Sequence, residues 1–596
     1  MLLEGDKNPI ITIPGLGVIK GTLDPSGKVA KFLNVPFGTV EERWQPAVKA
    51  QPWSGIRDAT QNGPMSPQQT ENHPFISMLL GCPSTNDYDE TMSERDCLHC
   101  NIFMPASALT SLSEEKEELL PVMVWIYGGA YRSGTNSTPL YDCTEMLLTG
   151  IDLQKPFIAV AINYRVNYLG FLASKELLLD SHHHLSRTIP ADQQRKWYDG
   201  SVGNWGLLDQ ILGLEWVRDH IFAFRGDKGR VTAMGESAGA VSISLLMLIP
   251  QAHGLFRRAI LQSGGASASP LVRPEGEGSE GQVLFDHLCL RFGVQEGLDP
   301  LEKVAQLRHV DAKEFAKILN LAEIFFFRPA LDGVLFQADS RVVVGEASAY
   351  DRGLEWVVTG NCKDEGTVFG PLIGAPFLAD FPNLKRRLCP PSDSHLFDTL
   401  FGTPHSDNEA ATISNRLAGN GIFKYPSYQI SQAILDHPTC RLSRFHFDTQ
   451  IHAEEQVMPG LGAHHGIDMF FTFGGKVAKD LLSESEQGMI RKVQEVWIEV
   501  ITAESPESST LPKITTTNLL PSSPTDSFPK EAIVFGNDMK IHQDVAERMS
   551  TEEIEFWKRA QVFAKEETDK GRGREVFFDY FQGTLTSTTT TAATAP

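Results

Sequence analysis

Cationic residues are in short supply. Lys and Arg number 53 against 75 Asp and Glu, a net charge of −22 over 596 residues. Gripping a phosphate backbone needs clustered cations, so this balance argues against a nucleic-acid partner and against anchoring on an anionic membrane. Long apolar runs are missing too. No stretch of about 18 uninterrupted apolar residues occurs, so no membrane span is expected. The opening MLLEGDKNPI has two leucines and then charges, not the apolar run of about 7–15 residues that makes a secretory leader. Cysteine is sparse at 8 residues, and Cys97-x-x-Cys100 is its one close pair. A disulfide-built scaffold is thereby excluded, and without a second pair or a nearby histidine cluster a zinc site is not expected. The one Asn-x-Ser/Thr sequon is Asn136-Ser137-Thr138. These absences together lead us to expect a cytosolic protein. No repeat at a fixed period is found.

What is present is a middle section that alternates apolar runs with helical patterns. Pro121 to Tyr127, Phe157 to Tyr164, Arg230 to Met234, Arg258 to Gln262 and Gly353 to Thr359 read as short buried strands bounded by turn residues. Leu207 to Ile221 and Ala238 to Leu248 read as helices. Such alternation predicts an α/β fold with a mostly parallel sheet covered on both faces. Asp180 to Gly203 is polar, carries His182-His183-His184, and reads as a solvated loop. Ala503 to Pro529, rich in Ser, Thr and Pro, reads as a loop. One large domain over residues 1–583 is expected, followed by a Thr/Ala-rich disordered tail over 584–596.

The sharpest motif is RVTAMGESAGA, residues 230–240, in which Gly235-Glu236-Ser237-Ala238-Gly239 matches G-x-S-x-G. A strand is expected before it and a helix after it, the setting of a nucleophile elbow. Small residues at Gly235 and Gly239 leave room for the sharp turn that projects Ser237. The helix N-terminus behind the serine favours developing negative charge. Acyl transfer also needs oxyanion donors. The N–H of Ala238 qualifies by position, and the glycine-rich Tyr127-Gly128-Gly129-Ala130-Tyr131 after an earlier strand is the natural source of the others. A serine hydroxyl needs a histidine base, and that base needs a carboxylate, in the chain order Ser, acid, His. Eight of the 17 histidines follow residue 365, and spacing alone does not choose among them.

Further motifs identify a family. FLNVPFG, RWQPAVKAQPWSGIRDATQNGPMSPQ, SERDCL, WIYGGAYRSG, INYRVNYLGFL, GNWGLLDQILGLEWVRDHIFAFRGD and VTAMGESAGA occur in the order of the type-B carboxylesterase and cholinesterase family of α/β-hydrolases, which the chain resembles from about residue 10 to about residue 560. The resemblance implies an α/β-hydrolase fold with large loop and helical insertions and a serine esterase needing no metal or organic cofactor. It implies Glu365, in Gly360 to Gly366, as the acid, with Asp364 the less favoured neighbour. It implies His465, in Gly462 to Gly466, as the base, with His464 the less favoured neighbour. By the same likeness Gly129, Ala130 and Ala238 form the oxyanion hole, Gly128 shapes the loop, and Ser263 lies near the acid–histidine pair with a hydrogen-bonding or packing role.

Departures from the family pattern carry their own expectations. Ser66 stands where the family has the cysteine that pairs with that of the E-D-C-L segment, so Cys97 loses its partner unless Cys82 substitutes. The stretch from Phe171 to Gly203 is longer than usual. Phe325 to Phe327 are candidate pocket aromatics or packing residues, and no cage for a cationic choline-like group is evident. The expected partner is a small-molecule ester cleaved through an acyl-serine. An intracellular acyltransferase or lactone-forming or lactone-opening enzyme would use the same intermediate, and a non-catalytic binding relative is the remote alternative. The natural ester and the oligomeric state are not encoded in any motif.

Overall fold

A computed structural model describes residues 8–69, 91–110, 118–188, 198–268, 270–276, 279–319, 326–369, 377–451, 460–514, 532–538, 540–544 and 548–569. Cys82, Phe325, residues 515–529 of the Ser/Thr/Pro-rich stretch and the tail 584–596 lie outside the described residues.

The frame is an 11-stranded sheet. In chain order its strands are β1 (Thr22–Leu23), β2 (Val29–Pro36), β3 (His99–Pro105), β4 (Leu120–Ile126), β5 (Ile158–Ile162), β6 (Gly226–Glu236), β7 (Arg258–Gln262), β8 (Trp356–Cys362), β9 (Arg441–Phe447), β10 (Ala532–Phe535) and β11 (Ile541–Asp544). Their spatial order is β11-β10-β9-β8-β7-β6-β4-β5-β3-β2-β1. Every pairing from β5 through β4, β6, β7, β8 and β9 to β10 is parallel. The flanking pairs are antiparallel. Parallel strands must be covered on both faces, which is why β5, β7, β8 and β9 are buried at every residue. This is the mostly parallel α/β sheet that the apolar runs predicted, with strand ends shifted by a few residues.

The helices that bear on the site are α1 (Lys175–Thr188), α2 (Trp205–His220), α3 (Ala238–Leu246), α4 (Asp407–Ala418), α5 (Tyr425–Leu435), α6 (Asp468–Phe473), α7 (Glu484–Thr502) and α8 (Thr551–Asp569). Helix α3 is buried along its whole length because it leaves the central strand β6 and runs beneath its neighbours. Helix α7 begins with a capping box, Ser483 with Glu486, and buries an apolar face against the sheet.

One expectation is corrected here. The first part of the polar Asp180–Gly203 stretch is helical, because α1 continues through the three histidines to Thr188. The Ser174 hydroxyl accepts the Leu177 N–H, Leu177 and Leu185 are buried, and Asp180 accepts from the two terminal guanidinium nitrogens of Arg308 at 2.9 and 2.6 Å. The polar composition concealed an amphipathic helix. Cys97 is a free, buried thiol. Asn136 is also buried, and its amide donates to the Ala161 carbonyl at 2.9 Å, so the folded chain does not present the sequon. No described helix is long and apolar enough to cross a membrane.

Candidate active site

Strand β6 ends at Glu236, and α3 begins at Ala238. Ser237 between them has φ 53° and ψ −124°, a backbone that a non-glycine residue adopts only when its surroundings impose it. They do so here. Its N–H donates to the Gln262 carbonyl at 2.9 Å, and its carbonyl accepts the Val241 N–H at 2.9 Å. A Cβ on Gly239 would lie 2.0 Å from the Ile126 carbonyl oxygen, so the helix passes β4 too closely for any side chain. That is the physical reason for the small residues of the pentapeptide.

Loops from two other strands bring the remaining groups to this serine. The Ser237 hydroxyl lies 2.8 Å from His465 Nε2. On the far side of the ring, Nδ1 lies 2.7 Å from Glu365 Oε2. Glu365 follows β8, and its second oxygen accepts the Ser263 hydroxyl at 2.5 Å and the Cys362 N–H at 2.7 Å. With four lone-pair directions on the carboxylate and these donors in place, Glu365 is fixed as an acceptor for an Nδ1–H, which leaves Nε2 free to accept from serine. The hydrogen-bonding role of Ser263 is therefore observed.

The less favoured member of each pair has structural work. Asp364 accepts the Ala463 N–H at 2.9 Å, and its own N–H donates to the Ala463 carbonyl at 2.9 Å. It thus ties the acid's loop to the histidine's loop. His464 is held by its Nδ1 against the His465 carbonyl at 2.9 Å, and burial pulls its pKa down to about 4, so it stays neutral.

The loop after β4 carries Gly128, Gly129 and Ala130. Gly129 has φ 110°, and Ala130 and Tyr131 follow at 57° and 55°. A Cβ on Gly128 would meet the Glu236 carbonyl at 2.6 Å, so the loop and the elbow are in contact. Among the described residues, none accepts a main-chain hydrogen bond from the N–H of Gly129, Ala130 or Ala238. Those donors are available to a ligand. The loop is anchored from behind. The Arg132 guanidinium donates to the Leu319 carbonyl at 2.7 Å, and the Phe327 N–H donates to the Ala130 carbonyl at 3.0 Å. Phe327 is buried edge-on against Tyr168 at 5.0 Å, which makes it a packing residue of this support.

Two carboxyls beside the histidine were not singled out from the sequence. Glu236 Oε1 lies 3.2 Å from His465 Nε2 without making a hydrogen bond. The signal was in view, as the variable position of G-x-S-x-G, but nothing in the pattern gives that position a role. Asp468, on α6, accepts the Gln262 side-chain amide at 2.8 Å, and burial, reinforced by Glu365, pushes its pKa up to about 7. Burial also raises Glu236. For His465 burial lowers proton affinity, but Glu236, Glu365 and the Glu365 hydrogen bond outweigh it and raise the pKa. A base works only when unprotonated, so activity should climb with pH through a limb above the ordinary histidine range. Replacing Glu236 with Gln removes the first of the raising charges. The acid limb of kcat/KM is then expected to move to lower pH by roughly one unit. A pH–rate profile of Glu236→Gln that overlays the wild type would refute this coupling.

Among the described residues, no group of three or more His, Cys, Asp or Glu is arranged to hold a metal ion.

A parallel sheet with a strained serine at the turn from its central strand into a helix defines an α/β-hydrolase. The comparisons with known proteins agree. The Carboxylesterase family profile matches residues 7–181 and 197–557, and the gap between them falls within the stretch expected to be longer than usual. A para-nitrobenzyl esterase of Bacillus subtilis (strain 168) is 28% identical over 506 residues, spanning 81% of this chain and 87% of the relative. A liver carboxylesterase of Sus scrofa is 27% identical over 567 residues, spanning 89% and 88%. A solved PNB esterase superposes with a TM-score of 0.64 at 24% identity, covering 90% of this chain and 97% of the other, which supports the fold. The chain belongs to the carboxylesterase family and is a carboxylic ester hydrolase.

Proposed function

We propose that the protein cleaves a small carboxylic ester to acid and alcohol through an acyl-serine formed on Ser237. The observation that carries this reading is the continuous relay from Ser237 Oγ to His465 Nε2 at 2.8 Å and from His465 Nδ1 to Glu365 at 2.7 Å. In the first half-reaction Ser237 Oγ attacks the acyl carbon as His465 takes its proton, and the imidazolium is stabilised by Glu365. The carbonyl oxygen becomes an oxyanion, for which the N–H groups of Gly129, Ala130 and Ala238 are the donors. His465 returns the proton to the departing alcohol. Water then attacks the acyl carbon as His465 takes its proton, and the imidazolium returns that proton to Ser237 Oγ as the acyl–oxygen bond breaks and the acid leaves. Every proton is accounted for by the ring, so the cycle calls for no cofactor. A cytoplasmic setting is part of the proposal, supported by the low cysteine content and by the free, mostly buried thiols of the described cysteines.

The test combines labelling with turnover. A fluorophosphonate should modify Ser237, located by mass spectrometry, and p-nitrophenyl esters of short and long acids should be hydrolysed. Product analysis with and without added alcohol reads the acceptor. Free acid in both supports hydrolysis, whereas an ester product dominating at low alcohol concentration would make the chain an acyltransferase. A folded sample that neither labels nor turns over would overturn the reading.

A further inference from the structure

Helices α4 and α5 are parts of one continuous run, joined by the turn Gly419–Lys424, where the backbone is π-helical. A π-turn inserts an extra residue into a helix and re-aims the side chains around it, and such turns are often found at functional sites. Here the re-aimed side chain is Phe423. Its ring stacks on the imidazole of His465, with centroids 4.2 Å apart and planes inclined by 30°. Both side chains are buried.

The same turn touches the acid. A Cβ on Gly366 would stand 1.7 Å from the Asn415 carbonyl oxygen at the end of α4, so the segment that carries Glu365 lies directly against this helix. The Lys424 ammonium donates to the Lys363 carbonyl at 3.0 Å. From the opposite side, buried Glu553 on α8 accepts the Asn420 amide at 2.5 Å and the Arg416 guanidinium at 3.2 Å. The π-turn is therefore held by the acid's loop on one flank and by α8 on the other, and Phe423 has little freedom to leave the imidazole.

We propose that Phe423 is a positioning residue that fixes the plane of the catalytic imidazole and stabilises its charged form. This deepens the triad reading and rests on His465 being the base. The physical reason is the ring's quadrupole. The face of an aromatic ring is negative and attracts a cation, most strongly where water is excluded. His465 becomes a cation in both half-reactions. A flat aromatic surface at stacking distance also opposes rotation of the imidazole about its side-chain bonds, which would break the 2.8 Å approach to Ser237. The ionisable groups around His465 are Glu236, Glu365, Asp468 and His464. All remain when Phe423 is changed, so a difference in pH behaviour reports on the ring itself.

The test compares Phe423→Leu, which keeps apolar bulk, with Phe423→Tyr, which keeps the aromatic face. The readouts are kcat and KM on a p-nitrophenyl ester and the acid limb of the pH–rate profile. For the Leu variant kcat should fall about tenfold, the scale of a desolvated cation–π contact, with KM within about threefold. Its acid limb should move to lower pH because the imidazolium has lost support. Tyr should recover kcat to within about threefold of wild type. A Leu variant with kcat within about twofold and an unmoved limb would overturn the proposal. So would equal impairment of Leu and Tyr, which would mean that keeping the aromatic face confers nothing. Wild type and His465→Gln treated in parallel with fluorophosphonate keep the two readings apart. If wild type fails to label Ser237, or if His465→Gln turns over normally, the triad fails. If the triad behaves as proposed and Leu resembles wild type, Phe423 alone is wrong.

Discussion

The Ser237→Ala variant is expected to lose ester turnover by about 10⁴- to 10⁶-fold, while its fold and melting behaviour stay close to wild type. The size follows from the cooperation of the triad. In the proposed mechanism no acyl-enzyme forms without the hydroxyl, and what remains is binding and polarisation of the ester by the backbone donors. The fold should survive because the elbow is held by groups that alanine keeps. The Ser237 N–H bond to Gln262 and the carbonyl bond from Val241 are main-chain bonds. The positive φ is as uncomfortable for alanine as for serine, so little changes in the backbone ledger. The measurement is steady-state hydrolysis alongside circular dichroism and thermal unfolding. A variant with more than about a hundredth of wild-type activity, freed of trace wild type by pre-treatment with fluorophosphonate, would remove Ser237 from the mechanism.

The second large effect concerns stability. Arg165 and Asp209 form an ion pair with side chains 1% and 0% exposed. It is bidentate, with Arg165 Nε and Nη2 each 2.8 Å from an Asp209 oxygen. The Arg165 N–H also reaches Asp209, at 3.1 Å, and Nη1 donates to the Gln45 carbonyl at 2.9 Å. Asp209→Ala strands a guanidinium in a dry interior, which costs about 3–5 kcal/mol. Spread over the unfolding entropy of a chain this long, that is a fall in apparent Tm of about 2–4 °C. Replacing both partners by apolar residues, as in Arg165→Met with Asp209→Leu, should recover most of the loss, because the pair's attraction is largely spent on desolvation. Equal instability of the single and double variants would disprove that account. The pair also bears on function. Two residues beyond Arg165, the Asn167 N–H donates to the Tyr131 carbonyl at 2.6 Å and its amide to the Arg132 carbonyl at 3.3 Å. Disturbing this segment should loosen the oxyanion loop, so Asp209→Ala is expected to lower kcat as well.

How much of this was legible in the sequence depended on whether the information is local. The elbow was, because a strand, a sharp turn and a helix occupy consecutive residues, and crowding at Gly239 leaves a compositional mark. The strands were, because a sheet buried on both faces demands unbroken apolar runs. Glu365 and His465 were not legible from spacing. Ser237 lies 228 residues from His465, and His465 lies 100 from Glu365. No periodicity links positions so far apart, and the resemblance to a family chose them. Within Asp364-Glu365 and His464-His465 the difference lies in which side chain faces the serine, and only the folded chain shows what the other does: Asp364 bonds across to the Ala463 main chain, and His464 is held on the neighbouring His465 carbonyl. Glu236 was visible but unreadable, since the role of a carboxylate beside the nucleophile comes from the histidine folded against it. Phe423 left no local mark at all. The histidines of α1 were misread because a polar exposed face outweighed a short apolar stripe.

The order in which the working parts are synthesised has a kinetic consequence. Ser237 emerges with the central strand, but His465, 2.8 Å from it in the fold, follows 228 residues later. The helix that pins the turn under Phe423, α8, comes later still, at Thr551–Asp569. Contacts so distant along the chain form slowly, since the intervening loops must close before any contact rewards them. A growing or refolding chain can therefore hold much of its helix and strand while its chemistry is silent. On dilution from denaturant, recovery of the far-ultraviolet signal should precede recovery of ester turnover. The appearance of activity would then time the final docking of α8 rather than the formation of the sheet.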